Sequence, residues 1–314
     1  MKRRKMKRRL KQLIGIGIVV VVSTFLVSWP AVLRLIIQSG LQQARKEGHH
    51  ISWSGLATGI KSASLESLTV WVPGPKIRGV ISIPISVELE GVAVALNAAP
   101  LLRLRPSVAY QTSLYGGSIK GDAHMSGPNS EFSAQIENVE LGRHPQIAAL
   151  GVRGGTISGL ISHMVFNPAG PTDGTFSISI QDLSLPAFGA TKTLLRVDDL
   201  GAFDLDTAGK VTLQGIEVST LKVRSKFGEA SGQLTAQNHL TDSPKVSGNL
   251  RVSLSEQGSQ VFGAWLPLIP GAGLDAATKA FSVRFIPLPC AQARADGAFI
   301  TLGGGCAKLS FTRG

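Results

Sequence analysis

Six histidines, two cysteines and one knot of aspartates are the residues of this 314-residue chain whose types could do chemistry. His49, His50, His124, His144, His163 and His239 are scattered along it. Only His49–His50 are adjacent, and no further ligand stands near them at metal spacing, so two solvated imidazoles are expected there. Asp198, Asp199, Asp204 and Asp206 form the best candidate for a cation site. They fall in a turn and the start of a strand, with no glycine where a calcium loop needs one, and a solvated turn is the expectation. The chain has no G-x-S-x-G, no H-E-x-x-H, no Walker loop and no EF-hand pattern. Gly303–Gly305 lacks the following helix that would make it a phosphate cradle. With 17% charged residues there is little material for acid–base work. No catalytic residue, cofactor or metal is expected, and the chain does not read as an enzyme.

The two cysteines are Cys290 and Cys306, separated by AQARADGAFITLGGG. Asp296–Gly297 is a turn signal followed by a short strand, and a hairpin of that size can bring its ends together. In an oxidising compartment the pair would bond, closing a loop worth about 3 kcal/mol in the chain-entropy model. The other reading is two unrelated thiols. No histidine or second C-x-x-C lies close enough to suggest a metal.

The charge is strongly uneven. Of the 32 Lys and Arg, 11 stand in residues 1–46, which hold no acid; that leaves 21 against 20 acids beyond. The net charge of +12 therefore belongs to a tail. A nucleic-acid partner would need basic residues spread over a folded face with interleaved aromatics, and none are visible. The tail at 1–12 precedes an uncharged apolar stretch closed by Arg34. About 20 helical residues cross a ~30 Å hydrocarbon core, so residues 13–33 read as a transmembrane helix. Trp29 stands at the interface and Pro30 where the chain leaves the bilayer. Eight basic residues before the span hold the N-terminus in the cytoplasm and send residues 34–314 across. A cleaved signal peptide is the competing reading, but the apolar run is long and no A-x-A-like site follows.

Beyond the span, residues 30–47 read as a continuing helix, with Leu33, Ile36, Ile37, Leu41 and Ala44 at helical spacing and Gly48 ending it. From there the period changes to two. Runs at 65–72, 81–89, 211–218 and 250–254 alternate apolar with polar residues, the antiparallel strand signal. Pro84 marks an edge or a break. Short helices are expected at 255–266 and, as a second candidate, at 144–151. The chain also repeats. Tyr115-Gly-Gly-Ser-Ile-Lys-Gly121 returns as Arg153-Gly-Gly-Thr-Ile-Ser-Gly159, with a looser echo at Phe227–Gly232. Phe132-Ser-Ala-Gln-Ile-Glu-Asn-Val-Glu-Leu141 returns as Phe176-Ser-Ile-Ser-Ile-Gln-Asp-Leu-Ser-Leu185. The expected fold is mainly β, a long twisted antiparallel sheet built from repeated hairpins. Chance similarity among strands rich in glycine and serine is the alternative.

These residues carry a resemblance. A basic tail, one transmembrane helix, Gly48-His-His-Ile-Ser-Trp53 and a first hairpin from Leu56 to Val72 look like the opening of AsmA-like bacterial envelope proteins. Tyr115–Gly121, Ile136-Glu-Asn-Val-Glu-Leu-Gly-Arg-His-Pro145 and Gly154–Gly159 resemble the type II secretion system protein N family. Phe176–Pro186 and Val246–Pro267 extend the match in order. The resemblance implies an inner-membrane-anchored periplasmic subunit with a structural or assembly role in exporting folded proteins across the outer membrane. Its partners would be other envelope proteins of the secretion system, and it brings no catalytic residues. The alternative is an AsmA-like lipid-handling or envelope-maintenance protein, with an apolar groove that shelters acyl chains.

Overall fold

The computed structural model describes residues 30–35, 37–39, 41–42, 45–46, 50–72, 85–96, 107–126, 129–149, 151–167, 170–186, 199–239, 245–263, 279–288, 299–302 and 305–313. The basic tail, most of the expected span at 13–33, Ile81–Pro84 and Cys290 lie outside them. Among the described residues no helix is long and apolar enough to cross a membrane. The fold is mainly β, antiparallel, with few short helices, and the chain divides into two compact units.

The first unit spans residues 1–98 and 108–112. Residues 30–35, 37–39, 41–42 and 45–46 are helical, with Leu33, Ile37 and Leu41 half-buried at the spacing of one helix face. Strands β1 (His50–Ser54), β2 (Ala57–Thr58), β3 (Ser62–Val72) and β4 (Ile85–Leu96) follow. β3 pairs with β1, β2 and β4, all antiparallel. The helical residues are tied to this sheet. The Arg45 guanidinium lies 4.5 Å over the Trp53 ring and donates to the Ile51 carbonyl, and the Thr58 hydroxyl donates to the Pro30 carbonyl at 2.8 Å. Pairing skips Glu66 and Gly91, the latter at φ +58. Across that skip the apolar positions change from Ala63 and Leu65 to Leu68 and Val70 in β3, and from Val92 and Val94 to Leu89 and Val87 in β4.

β5 (Ser107–Leu114) carries the division between units; in the first, Thr112 donates to the Glu90 carbonyl at 3.0 Å. The second unit is an open antiparallel sheet. Its strands are β6 (Gly117–Ser126), β7 (Asn129–Glu140), β8 (Arg153–Asn167), β9 (Gly170–Pro186), β10 (Asp199–Thr212), β11 (Gly215–Ser225), β12 (Gly228–Gln237), β13 (Lys245–Leu254), β14 (Ala280–Leu288), β15 (Phe299–Leu302) and β16 (Gly305–Arg313). From β6 to β14 each strand pairs with its neighbours in sequence; then β16 lies between β14 and β15. The segments 176–185 and 250–254 read from the sequence fall within β9 and β13, and 132–141 runs along β7 to its end. One run does not hold: 211–218 is two strand ends around a turn, in which Leu213 is 71% exposed. The Thr212 hydroxyl closes that turn on the backbone of Gly215.

Two short helices punctuate the sheet. α1 (Pro145–Ala149) follows a 3₁₀ turn at Leu141–Arg143, inside the segment predicted at 144–151. α2 (Glu256–Phe262) begins where the sequence places it. The Ser255 hydroxyl accepts from Gly258 N at 3.0 Å and donates to the Lys226 carbonyl at 2.7 Å. This cap satisfies one of the open donors of the first turn and fixes the helix to the β11–β12 turn. Phe262 packs edge-on to Phe227 at 5.5 Å.

Four strands carry an extra residue that carries the apolar pattern forward by three instead of two. The steps are Ile136 to Val139, Ile161 to Met164, Ile180 to Leu183 and Val218 to Leu221, each at a register shift against a neighbour. In the first three the extra residue, Asn138, His163 or Asp182, has positive φ of 53, 49 and 53. Asn, Asp and His accept that backbone more readily than other side chains. Asn138 and Asp182 occupy matching places in the two Phe-led segments.

Candidate functional site

Register places one apolar face across the second unit. Ile136 stands opposite Ile119 and Gly159, Ile180 opposite Ile157 and Leu205, and Val223 opposite Leu205 and Ala230. At the β13–β16 end this face makes a well-buried cluster, Val246, Phe281, Val283, Phe285 and Ala307. Over β8–β11 its large side chains, among them Ile157, Ile178, Ile180, Leu205 and Val223, are half-buried, shielded by one another. Among the described residues of this unit no second layer of helix or sheet covers them.

One end of that face is drawn together. β9 and β12 are three strand spacings apart, about 14 Å in a flat sheet. Yet His239, just past β12, has Nε2 2.8 Å from the Pro171 carbonyl at the start of β9. The sheet curls around the β10–β11 hairpin to allow it, and Val211 between them is 4% exposed. The result is a trough, drawn in at this end and lined along β8–β11 by half-buried aliphatic side chains.

The opposite face is polar and laced by cross-strand ion pairs: Lys120–Glu137 at 2.9 Å, Lys210–Glu217 at 2.9 Å, Lys222–Glu229 at 3.0 Å and Arg224–Asp206 at 2.7 Å. The hydrogen bond and charge of Lys120 hold the Glu137 carboxyl below its ordinary range. The histidines do not converge. His50 is exposed in β1, His124 pairs with Asp122 at 3.1 Å, and His163 pairs with Glu131 at 2.7 Å. The Glu131 hydrogen bond, then its charge, raises the His163 pKa, with a smaller contribution from Asp122. His49 lies outside the described residues.

His144, scattered from the other histidines in sequence, is a buried cap. It is 4% exposed, with Nδ1 accepting from Gln146 N at 3.2 Å and Ile147 N at 3.4 Å at the start of α1. Its ring lies 5.0 Å from that of Tyr115. Around it the motif glycines form one corner: a side chain on Gly117 would strike the backbone of Glu137–Val139, and one on Gly142 would press on Gly154. Arg143 closes on Glu140 at 2.7 Å above Gly116.

Of the aspartate cluster, Asp199 opens β10, as the expected strand start, and Asp204 and Asp206 stand inside the strand rather than in a solvated turn. Asp204 accepts from Asp182 N at 3.1 Å and so holds the extra residue of β9. Asp206 accepts from the Ser179 hydroxyl at 2.7 Å and pairs with Arg224. Asp198 lies outside the described residues. Among the described residues no three His, Cys, Asp or Glu are grouped to hold a metal. Cys306 falls in β16 opposite Leu288, and Cys290 lies beyond the described residues. Compared with protein-family models, curated proteins and solved structures, the chain matches none.

Proposed function

We propose that this chain is a periplasmic subunit of a type II protein secretion system, anchored in the inner membrane by residues 13–33. Its role is structural, in the assembly that exports folded proteins across the outer membrane, and it works without catalysis. The observation that carries this reading is the placing of the motifs on which the resemblance rests. Tyr115–Gly121, Ile136–Pro145, Gly154–Gly159 and Phe176–Pro186 fall in consecutive elements of one sheet, the β5–β6 turn through β9. Three of them meet at the glycine corner around His144. An open antiparallel sheet of strands paired in sequence order fits the repetition read from the chain.

The trough favours a second reading. Half-buried aliphatic side chains along β8–β11, with no layer over them among the described residues, fit acyl chains and support an AsmA-like lipid-handling role. One deletion strain separates the two. Under the first reading, enzymes normally released to the medium accumulate folded in the periplasm, and outer-membrane lipid composition is unchanged. Under the second, secretion is intact while lipid composition and detergent sensitivity shift. A strain normal in both respects removes both readings.

A further inference from the structure

The polar face changes character at its C-terminal end. Arg251 on β13 and Arg284 on β14 are both exposed, and neither has an acidic partner among the described residues. Arg251 stands opposite Ser231 and Ser282; Arg284 stands opposite Asn249 and Ser310. The two arginines are therefore diagonal neighbours on adjacent strands, with Cβ atoms about 7 Å apart. From Gly228 to Leu288 the described acids are Glu229, already engaged with Lys222, and Glu256 in α2. Two like charges set side by side without a counter-charge cost stability and favour an anion.

Arg251 also lines a cleft of about 440 Å³ together with Thr220, Ser231, Gln233, Asn249 and Ser282; Lys222, paired with Glu229, lines it too, and Arg284 stands beside Arg251 outside the lining. The cleft crosses β11 to β14, three strand spacings or about 14 Å. The extra residue at Ser219–Thr220, opposite Gln233, bends β11 at its rim. No carboxylate and no aromatic ring lines it. Hydroxyls and amides match the donors and acceptors of a sugar, and a guanidinium matches phosphate through paired hydrogen bonds. The missing aromatic ring disfavours a nucleobase.

We propose that this cleft binds a phosphorylated polyol, with Arg251 and Arg284 holding the phosphate and Gln233, Asn249 and Ser231 the hydroxyls. The site stands on the face opposite the trough and does not depend on the function proposed above.

The test uses the full chain in a non-ionic detergent, titrated with glucose 6-phosphate and, separately, with maltose. Saturable binding of the phosphate is expected, at least tenfold tighter than maltose. Arg251→Ala and Arg284→Ala should each weaken it tenfold or more, and Arg251→Lys severalfold, since an ammonium lacks the paired geometry. Lys120→Ala, a cation on the same face but distant from the cleft, should leave binding unchanged. Hydrogen exchange in β13 and β14 confirms that the arginine variants stay folded. Phosphatidylglycerol vesicles then distinguish the source. Arg251-dependent binding that glucose 6-phosphate competes away identifies a lipid headgroup, and absence of vesicle binding identifies a soluble sugar phosphate. Lack of saturable glucose 6-phosphate binding, or equal weakening by Lys120→Ala, overturns the proposal.

Discussion

Replacing Gly117 with alanine asks whether the glycine corner is held by backbone contact. Gly117 needs no unusual φ; what it lacks is room. A Cβ there would lie 2.4 Å from the Glu137 carbonyl oxygen, 2.5 Å from Asn138 C and 2.5 Å from Val139 N. Ordinary contact begins near 3.4 Å, so β7 would have to retreat by about 1 Å at its extra residue. It is held there by the Ser118–Glu137 pairing, by the Val139–Ile157 pairing and by Glu140 N donating to the Tyr115 carbonyl at 3.1 Å. Overpacking costs about 1–3 kcal/mol, and weakening one such hydrogen bond adds about 1 kcal/mol. The reduced freedom of the unfolded alanine chain returns about 0.4–1 kcal/mol. A net loss of about 1–3.6 kcal/mol corresponds to a roughly 5- to 450-fold rise in hydrogen exchange of the β6–β7 peptides. Gly91→Ala is the control for dihedral cost alone, since φ is +58 and nothing lies within 4 Å of its added Cβ. It should cost about 1–2 kcal/mol, read in the β3–β4 peptides. A rise below threefold for Gly117→Ala, or one equal to that of Gly91→Ala, would refute the steric argument.

Other outcomes follow from the same contacts. Glu131→Gln should return the raised His163 titration, followed by imidazole NMR, to its ordinary value near 6.5. In the unaltered chain the His163–Glu131 pair contributes fully below that ordinary pKa, and its contribution is lost as pH rises through the higher folded-state value. Ser255→Ala removes both the acceptor for Gly258 N and the donor to Lys226 O, and should lower the protection of α2 by about 1–2 kcal/mol in hydrogen exchange. If Cys290 and Cys306 are bonded, alkylation before reduction should label neither and after reduction both; labelling of both in the native protein sinks the pairing. An alkaline phosphatase fused at the C-terminus should be active if residues 13–33 span the inner membrane with the basic tail in the cytoplasm, and an inactive fusion overturns that topology.

Much of the sheet was legible in the sequence because a strand with one apolar side writes its period into the chain. Leu250–Leu254 and Phe176–Ile180 alternate, and both are strands. The extra residues were legible in principle. Two polar residues stand between apolar ones in Ile136-Glu-Asn-Val139, Ile161-Ser-His-Met164 and Ile180-Gln-Asp-Leu183, and the positive φ falls on the second polar residue each time. That signal is a single missed beat, which a period count averages away. The turn at 212–215 was hidden because Leu213 fills the slot an apolar strand residue would take. The partners of charged residues were not legible at all. His163 meets Glu131 32 positions away, and Arg251 stands beside Arg284 only because β13 and β14 pair across the α2 segment. Such neighbours depend on register, which local spacing does not encode.

The pairing order has a kinetic consequence. From β6 to β14 each strand can dock on its predecessor as soon as it emerges, so assembly can proceed from one end with little loop entropy to overcome. The last step cannot follow that course. β15 has no place until β16 has been made, because β16 must bridge it to β14. Until then β14 presents an open edge, with Phe281, Val283 and Phe285 lacking the shelter of Leu309 and Phe311. A chain stalled between Leu288 and Gly305 therefore exposes both unpaired backbone and apolar side chains that are buried in the finished sheet, the combination on which chaperones and aggregation compete.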